Sequence, residues 1–189
     1  MTDKSVVVDF HMHPISYESF QPSAQGWIAK IVGQTCNYEE YARRYSDPEA
    51  FVGLLKESGI DYGVVMAELC PITTGICTNE YVEDFCSGRP ELIPFASINP
   101  ATDLAPAERL EDLITRHGFR GLKLYPTYQQ FYPNESRLYP LYSVAQARDI
   151  PIMFHTGSSV FEGARLKYGD PLHLDDVAVD FPRLKILLV

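Results

Sequence analysis

Val6-Val7-Val8-Asp9-Phe10-His11-Met12-His13 is the stretch from which the rest of the chain can be read. An apolar, β-branched run of this kind favours a strand buried on both faces, and such strands belong in parallel sheets covered by helices. Five runs of similar character follow, at Asp61 to Ala67, Leu92 to Ile98, Arg120 to Tyr125, Pro151 to His155 and Leu184 to Val189. From the second onward they start at residues 61, 92, 120, 151 and 184, roughly 30 residues apart, the length of a βαβ unit. Helical windows fill the intervals: Pro48 to Ser58, Thr78 to Ser87, Leu104 to His117 closed by Gly118, Ser136 to Arg148, and Pro171 to Asp180. The alternation predicts an α/β fold with a parallel sheet. A doubly wound sheet and an eight-stranded β/α barrel both satisfy it, and periodicity does not separate them.

Composition narrows the function. With 46% hydrophobic and 22% charged residues, the chain can bury an ordinary globular core, which rules out disorder and fibre. Its 25 acidic residues against 16 basic ones, a net charge of −9 and the lack of any basic run argue against a nucleic-acid partner. Apolar runs fall far short of the roughly 20 residues that cross a bilayer, and Met1-Thr2-Asp3-Lys4 carries no signal-peptide pattern, so no membrane partner is expected. Four cysteines without a C-x-x-C pair read as reduced thiols in a cytoplasmic protein. G-x-G-x-x-G, phosphate-loop and G-x-S-x-G motifs are missing, which leaves a small-molecule substrate of another class.

Residues 1–189 read as a single domain interrupted once. Residues 14–47 separate the first strand from the first clear helix and hold Tyr17, Phe20, Trp27, Cys36 and Tyr38. A connection this long in a compact domain is usually a functional excursion, and it is expected to cap the carboxyl edge of the sheet.

The chemistry begins at the end of the first strand. Residues two apart in a strand project to one side, so His11 and His13 are expected together with Asp9 below them. The pair alone reads equally as two ordinary histidines at a strand end. Its place at the carboxyl end of an apolar strand, where β/α folds hold ligands, shifts the balance. Pro151-Ile152-Met153-Phe154-His155-Thr156-Gly157 repeats that placement with His155, and strand five lies opposite strand one in an eight-stranded barrel. Three neutral imidazoles form a ready site for zinc or manganese, with Zn–N bonds of ~2.0–2.1 Å and room for a water whose pKa the metal lowers. Lys123 ends strand four as a candidate for an anionic substrate group or a snorkelling surface lysine. Glu68 could position water or substrate, or be a solvated carboxylate. Arg165 could bind a substrate carboxylate, and Tyr125, with Tyr128, Phe131 and Tyr132, reads as a pocket wall or as loop packing. His117 suits a helix C-terminus.

Asp9-Phe10-His11-Met12-His13-Pro14, Gly118-Phe119-Arg120-Gly121-Leu122-Lys123-Leu124-Tyr125-Pro126, Pro151 to Gly157 and Phe181-Pro182-Arg183-Leu184-Lys185 together resemble successive barrel strands of the amidohydrolase superfamily. The branch resembled includes aminocarboxymuconate-semialdehyde decarboxylase. The resemblance implies a (β/α)8 TIM-type barrel of which about six strands are present, with His11, His13 and His155 as metal ligands. It implies a metal-dependent hydrolase whose activated water attacks a small, carboxylate-bearing substrate, with zinc as the metal and manganese or another divalent transition metal as alternatives. Non-oxidative decarboxylation on the same ligands is the runner-up, a non-catalytic barrel protein or fragment the contrasting class, and a homodimer the expected assembly if there is one. Binuclear members would make Lys123 a carboxylated bridge. The family's catalytic His after strand six and Asp after strand eight would lie beyond Val189. The chain is therefore expected to lack about two βα units, to leave Leu184 to Val189 as an apolar edge, and to be insoluble or inactive at this length.

Overall fold

The computed structural model describes residues 5–14 and 19–189. In chain order the elements are β1 (Val8–Met12), α1 (Pro22–Val32), α2 (Tyr38–Tyr45), α3 (Pro48–Glu57), β2 (Tyr62–Met66), β3 (Glu68–Cys70), β4 (Gly75–Cys77), α4 (Asn79–Cys86), β5 (Leu92–Ser97), α5 (Pro106–Thr115), β6 (Gly121–Leu124), α6 (Pro126–Gln129), α7 (Tyr139–Ala147), β7 (Ile152–Phe154), α8 (His173–Asp180) and β8 (Ile186–Leu188). All six expected strands form, and they pair in parallel in the order β1-β2-β5-β6-β7-β8. A doubly wound sheet reverses strand order at a switch point. Here the order never reverses, so the chain follows the progression of a β/α barrel.

The alternation of side chains sorts the core into two layers. Val65, Ala96, Leu122, Leu124, Ile152 and Phe154 face the helices and join their apolar residues, including Leu110, Leu113, Leu141 and Val177, in the main cluster. Val64, Met66, Phe95 and Met153, with Ile93 and Leu187 against them, form a separate cluster on the inner face of the curled sheet. Cross-strand register lines up Met66, Phe95 and Gly121 in one row and Ser97, Lys123, Met153 and Leu187 in another. Helix starts are fixed locally: Asp47 and Thr78 accept from Glu49 N and Tyr81 N, each cap worth about 1 kcal/mol. Asn79 ties α4 to the sheet, donating to Ser97 O at 2.9 Å and accepting from Ser97 N at 2.8 Å.

Three features differ from the sequence expectation. Val6, Val7, Val8 and Phe10 are exposed, Val6 to 65%, because β1 pairs only with β2 among the described residues. β3 and β4 form an antiparallel hairpin after β2; three-residue strands are too short to show a period. The 14–47 segment carries two helices, α1 and α2, while Tyr17 lies outside the described residues. No described helix is long and apolar enough to cross a membrane, and all four cysteines are free.

Gly121 is demanded by the inner face. A Cβ there would stand 2.3 Å from the Phe95 ring, which is itself only 2% exposed. Gly121→Ala is expected to destabilise the protein by about 1–3 kcal/mol, the usual penalty of overpacking, and Phe95→Leu in the same chain should recover most of that loss. Urea unfolding of the three proteins checks this; an unchanged midpoint for Gly121→Ala would show that the ring is free to move.

Candidate functional site

The carboxyl ends of the inner-face strands meet in a cavity of about 260 Å³. His11 and His13 from β1 and its exit line it, with His155 from the end of β7, Glu68 and Thr74 from the hairpin, and Tyr125 and Tyr128 after β6. Phe20 and Ile28 reach it from the 14–47 segment, and Phe161 from the loop after β7. His11, His13, His155, Glu68, Tyr125, Tyr128 and Phe20, all singled out in the sequence, thus share one cavity. A larger hollow of about 560 Å³, lined by Lys56, Ile60 and Glu91 among others, contains no imidazole and holds the 2.7 Å Lys56–Glu91 ion pair.

Strand geometry explains the aim of each imidazole. The β1–β2 register shifts between Asp9 and Met12, which breaks the simple two-residue alternation. Asp9 Oδ1 folds back to accept from His11 N at 3.0 Å instead of sitting below the rings. The His11 and His13 ring centres stand 5.3 Å apart. His155 N donates to Leu124 O at 2.9 Å as β7 ends, and its ring lies 4.5 Å from that of Tyr128. Lys123 occupies the inner face one inward-facing residue before Tyr125. It is fully buried, its Nζ has no hydrogen-bond partner among the described residues, and it lies 5.2 Å from the Tyr125 ring centre. Arg165 is exposed and outside the cavity wall, its backbone N held by Thr127 O at 3.0 Å.

Burial sets the charge states. It lowers the His13 pKa to about 3, helped by the charges of His11, Lys123 and His155, and that of His155 to about 4, helped by Lys123. His11 is lowered by burial and by Lys123. All three rings are therefore neutral near pH 7, the form that offers a lone pair to a metal. Burial also brings Lys123 down to about 7 against the pull of Glu68, and lifts Glu68 to about 7 against its bond from Thr74 and the charge of Lys123.

Several supporting residues had no sequence signal. Gln129 uses its whole amide: Oε1 accepts from Tyr125 N at 3.1 Å, and Nε2 donates to Ile98 O and Leu69 O at 3.0 and 3.2 Å. Tyr125 Oη donates to Ala67 O at 2.8 Å. Thr74 Oγ1 donates to Glu68 Oε1. Gln21 N donates to Thr74 O at 2.7 Å, and Phe20 bridges to Gly75, docking the 14–47 segment on the hairpin. Ser97 Oγ, opposite Lys123 in the register, is buried without a partner.

Among the described residues, no three His, Cys, Asp or Glu side chains stand as a group already arranged to hold a metal ion. The donors nevertheless fit one. A ring bound at ~2.1 Å has its centre about 3.2 Å from the ion, so two rings at a tetrahedral angle lie about 5 Å apart. The 5.3 Å between His11 and His13 meets that spacing, and His155 Nε2 is buried with no hydrogen-bond partner among the described residues.

No curated protein sequence matches this chain. Solved structures do. An uncharacterised TIM-barrel protein from Bordetella bronchiseptica aligns with a TM-score of 0.77 at 24% identity, over 96% of this chain and 66% of that one. A 5-carboxyvanillate decarboxylase from Novosphingobium aromaticivorans, solved with manganese and 3-methoxy-4-hydroxy-5-nitrobenzoic acid, aligns at 0.69 and 14% identity over 97% and 65%. The 4-oxalomesaconate hydratase of Rhodopseudomonas palustris aligns at 0.62 and 19% identity over 97% and 62%. The chain thus has the fold of a partial TIM barrel and spans 62 to 66% of the length of these three structures. The sequence model of the amidohydrolase family matches residues 8–189, from the first residue of β1 past the last of β8, and the chain belongs to that family.

Proposed function

We propose that the protein is a metal-dependent enzyme that removes CO₂, without oxidation, from a small carboxylate-bearing substrate. The observation that carries this reading is one cavity shared by three neutral imidazoles above the buried Lys123 amine, which has no hydrogen-bond partner among the described residues. His11, His13 and His155 would hold the ion. A divalent metal bound there supplies a Lewis acid that can hold and polarise a substrate oxygen. Imidazole donors suit zinc and manganese alike, and manganese is the ion in the 5-carboxyvanillate decarboxylase structure.

The chain's own residues then divide the work. Lys123 supplies the charge that a substrate carboxylate needs, a role better suited to its buried ammonium than to exposed Arg165. Tyr125, Tyr128, Phe161 and Phe20 wall the cavity and offer flat faces to a planar substrate. The 14–47 segment caps it: Phe20 and Ile28 reach inside, while Trp27 packs edge-on against Phe161 at 5.5 Å. A water-excluding apolar wall favours departure of neutral CO₂ over entry of a second polar reactant. Water-adding chemistry, hydrolysis included, is the second reading, because a hydratase shares the fold and one fold hosts several reactions.

Elemental analysis should find about one divalent transition metal per chain, and His11→Ala with His13→Ala should remove most of it, since each imidazole is a direct ligand. Full metal in that double variant would reject the ligand assignment. Released CO₂, measured with 2,6-dihydroxybenzoate and 5-carboxyvanillate as first substrates, separates decarboxylation from hydrolysis. Lys123→Met should then lower kcat/KM about 100-fold, the worth of a charged hydrogen bond of roughly 2–3 kcal/mol, with metal content unchanged. Gly75→Ala tests the cap. Its Cβ would meet Ser19 O at 2.1 Å and Phe20 Cα at 2.7 Å, so the segment should undock and KM rise roughly tenfold; an unaltered KM would refute the cap.

A further inference from the structure

One of the three imidazoles turns a ring nitrogen toward a carboxyl group: His13 Nδ1 stands 3.5 Å from Glu68 Oε2. The other Glu68 oxygen accepts from Thr74 Oγ1, and Thr74 belongs to the turn whose carbonyl receives Gln21 N. A hydroxyl, a carboxyl group and an imidazole therefore stand in a row.

We propose that Glu68 is a positioning residue that accepts the Nδ1–H of His13, fixes this imidazole in the Nδ1–H tautomer and so presents Nε2 to the cavity, with Thr74 holding the carboxyl group in place. A neutral imidazole has one donor and one acceptor nitrogen, so the nitrogen that keeps the proton cannot ligate. A carboxyl group on the far nitrogen settles which one that is. Such partners also make the ligand more basic, and their loss typically weakens metal binding 10–100-fold. With one oxygen held by Thr74 and the other facing His13, Glu68 acts on the site through His13. The metal consequence rests on the ligand assignment above; the tautomer does not.

Long-range ¹H–¹⁵N NMR of the chelator-treated protein at neutral pH reads the tautomer directly. His13 should be the Nδ1–H form in the natural sequence and should shift toward Nε2–H in Glu68→Leu. Thr74→Val should move it the same way, and Thr74→Ser should restore it. Zinc affinity, measured by competition with a chelator, should fall 10–100-fold in Glu68→Leu. An Nε2–H ring in the natural sequence, or an unchanged ratio in Glu68→Leu, overturns the proposal. If Glu68→Leu does not fold, an unchanged ratio in Thr74→Val does so instead. A natural protein with the Nδ1–H form but no zinc or manganese affinity would sink the proposed function and leave this inference standing.

Discussion

The parallel register of β5, β6 and β7 decides where the chemistry can be. It sets Ser97 beside Lys123 and Lys123 beside Met153 on the inner face, and one inward-facing residue further along the chain come Tyr125 and His155, both in the cavity wall. A slip of one residue in β6 would send Lys123 into the helix layer and Leu124 into the barrel. Apolar burial resists that slip from both sides. Leu122 and Leu124 are fully buried among the helix-facing residues, and Phe95 covers the space that Gly121 leaves open. The site thus inherits its geometry from the core.

Burial and charge oppose each other at Lys123. An ammonium taken out of water without an acceptor is costly, and replacing such groups by apolar ones is often stabilising. The tyrosine ring at 5.2 Å and the coulombic pull of Glu68 offset only part of that cost, since burial still brings Lys123 down to about 7. A fold that buries a lysine amine beneath three neutral imidazoles, with no hydrogen-bond partner among the described residues, has its strain concentrated at one place, which is the pattern of a functional site.

Much of this was legible in the sequence because each strand carries its own signal. β2, β6 and β7 are buried on both faces and read as continuous apolar runs, and His11, His13 and His155 follow from position at strand ends. Periodicity left the order of the strands open, because pairing is a long-range choice, and the family resemblance alone implied the barrel progression that the strand order shows. Gln129 carries no local signal for the same reason. Gln129 is defined by carbonyls at residues 69 and 98, and no local pattern announces them. Arg165, a loop cation after a site strand, is exposed and is not among the residues that line the cavity.

The β3–β4 turn joins what the sequence presents as separate parts. Its Thr74 carbonyl receives Gln21 N, its Gly75 bridges Phe20, and its Thr74 hydroxyl bonds Glu68. Gly75 has φ of +132° and no space for a Cβ, so the close approach of the 14–47 segment depends on this one residue. The backbone that docks Phe20 over the cavity is therefore the backbone that places the carboxyl group beside His13. The cavity wall at Phe20 and the carboxyl group beside His13 thus rest on the same turn, through Gln21 N on the Thr74 carbonyl and the Thr74 hydroxyl on Glu68.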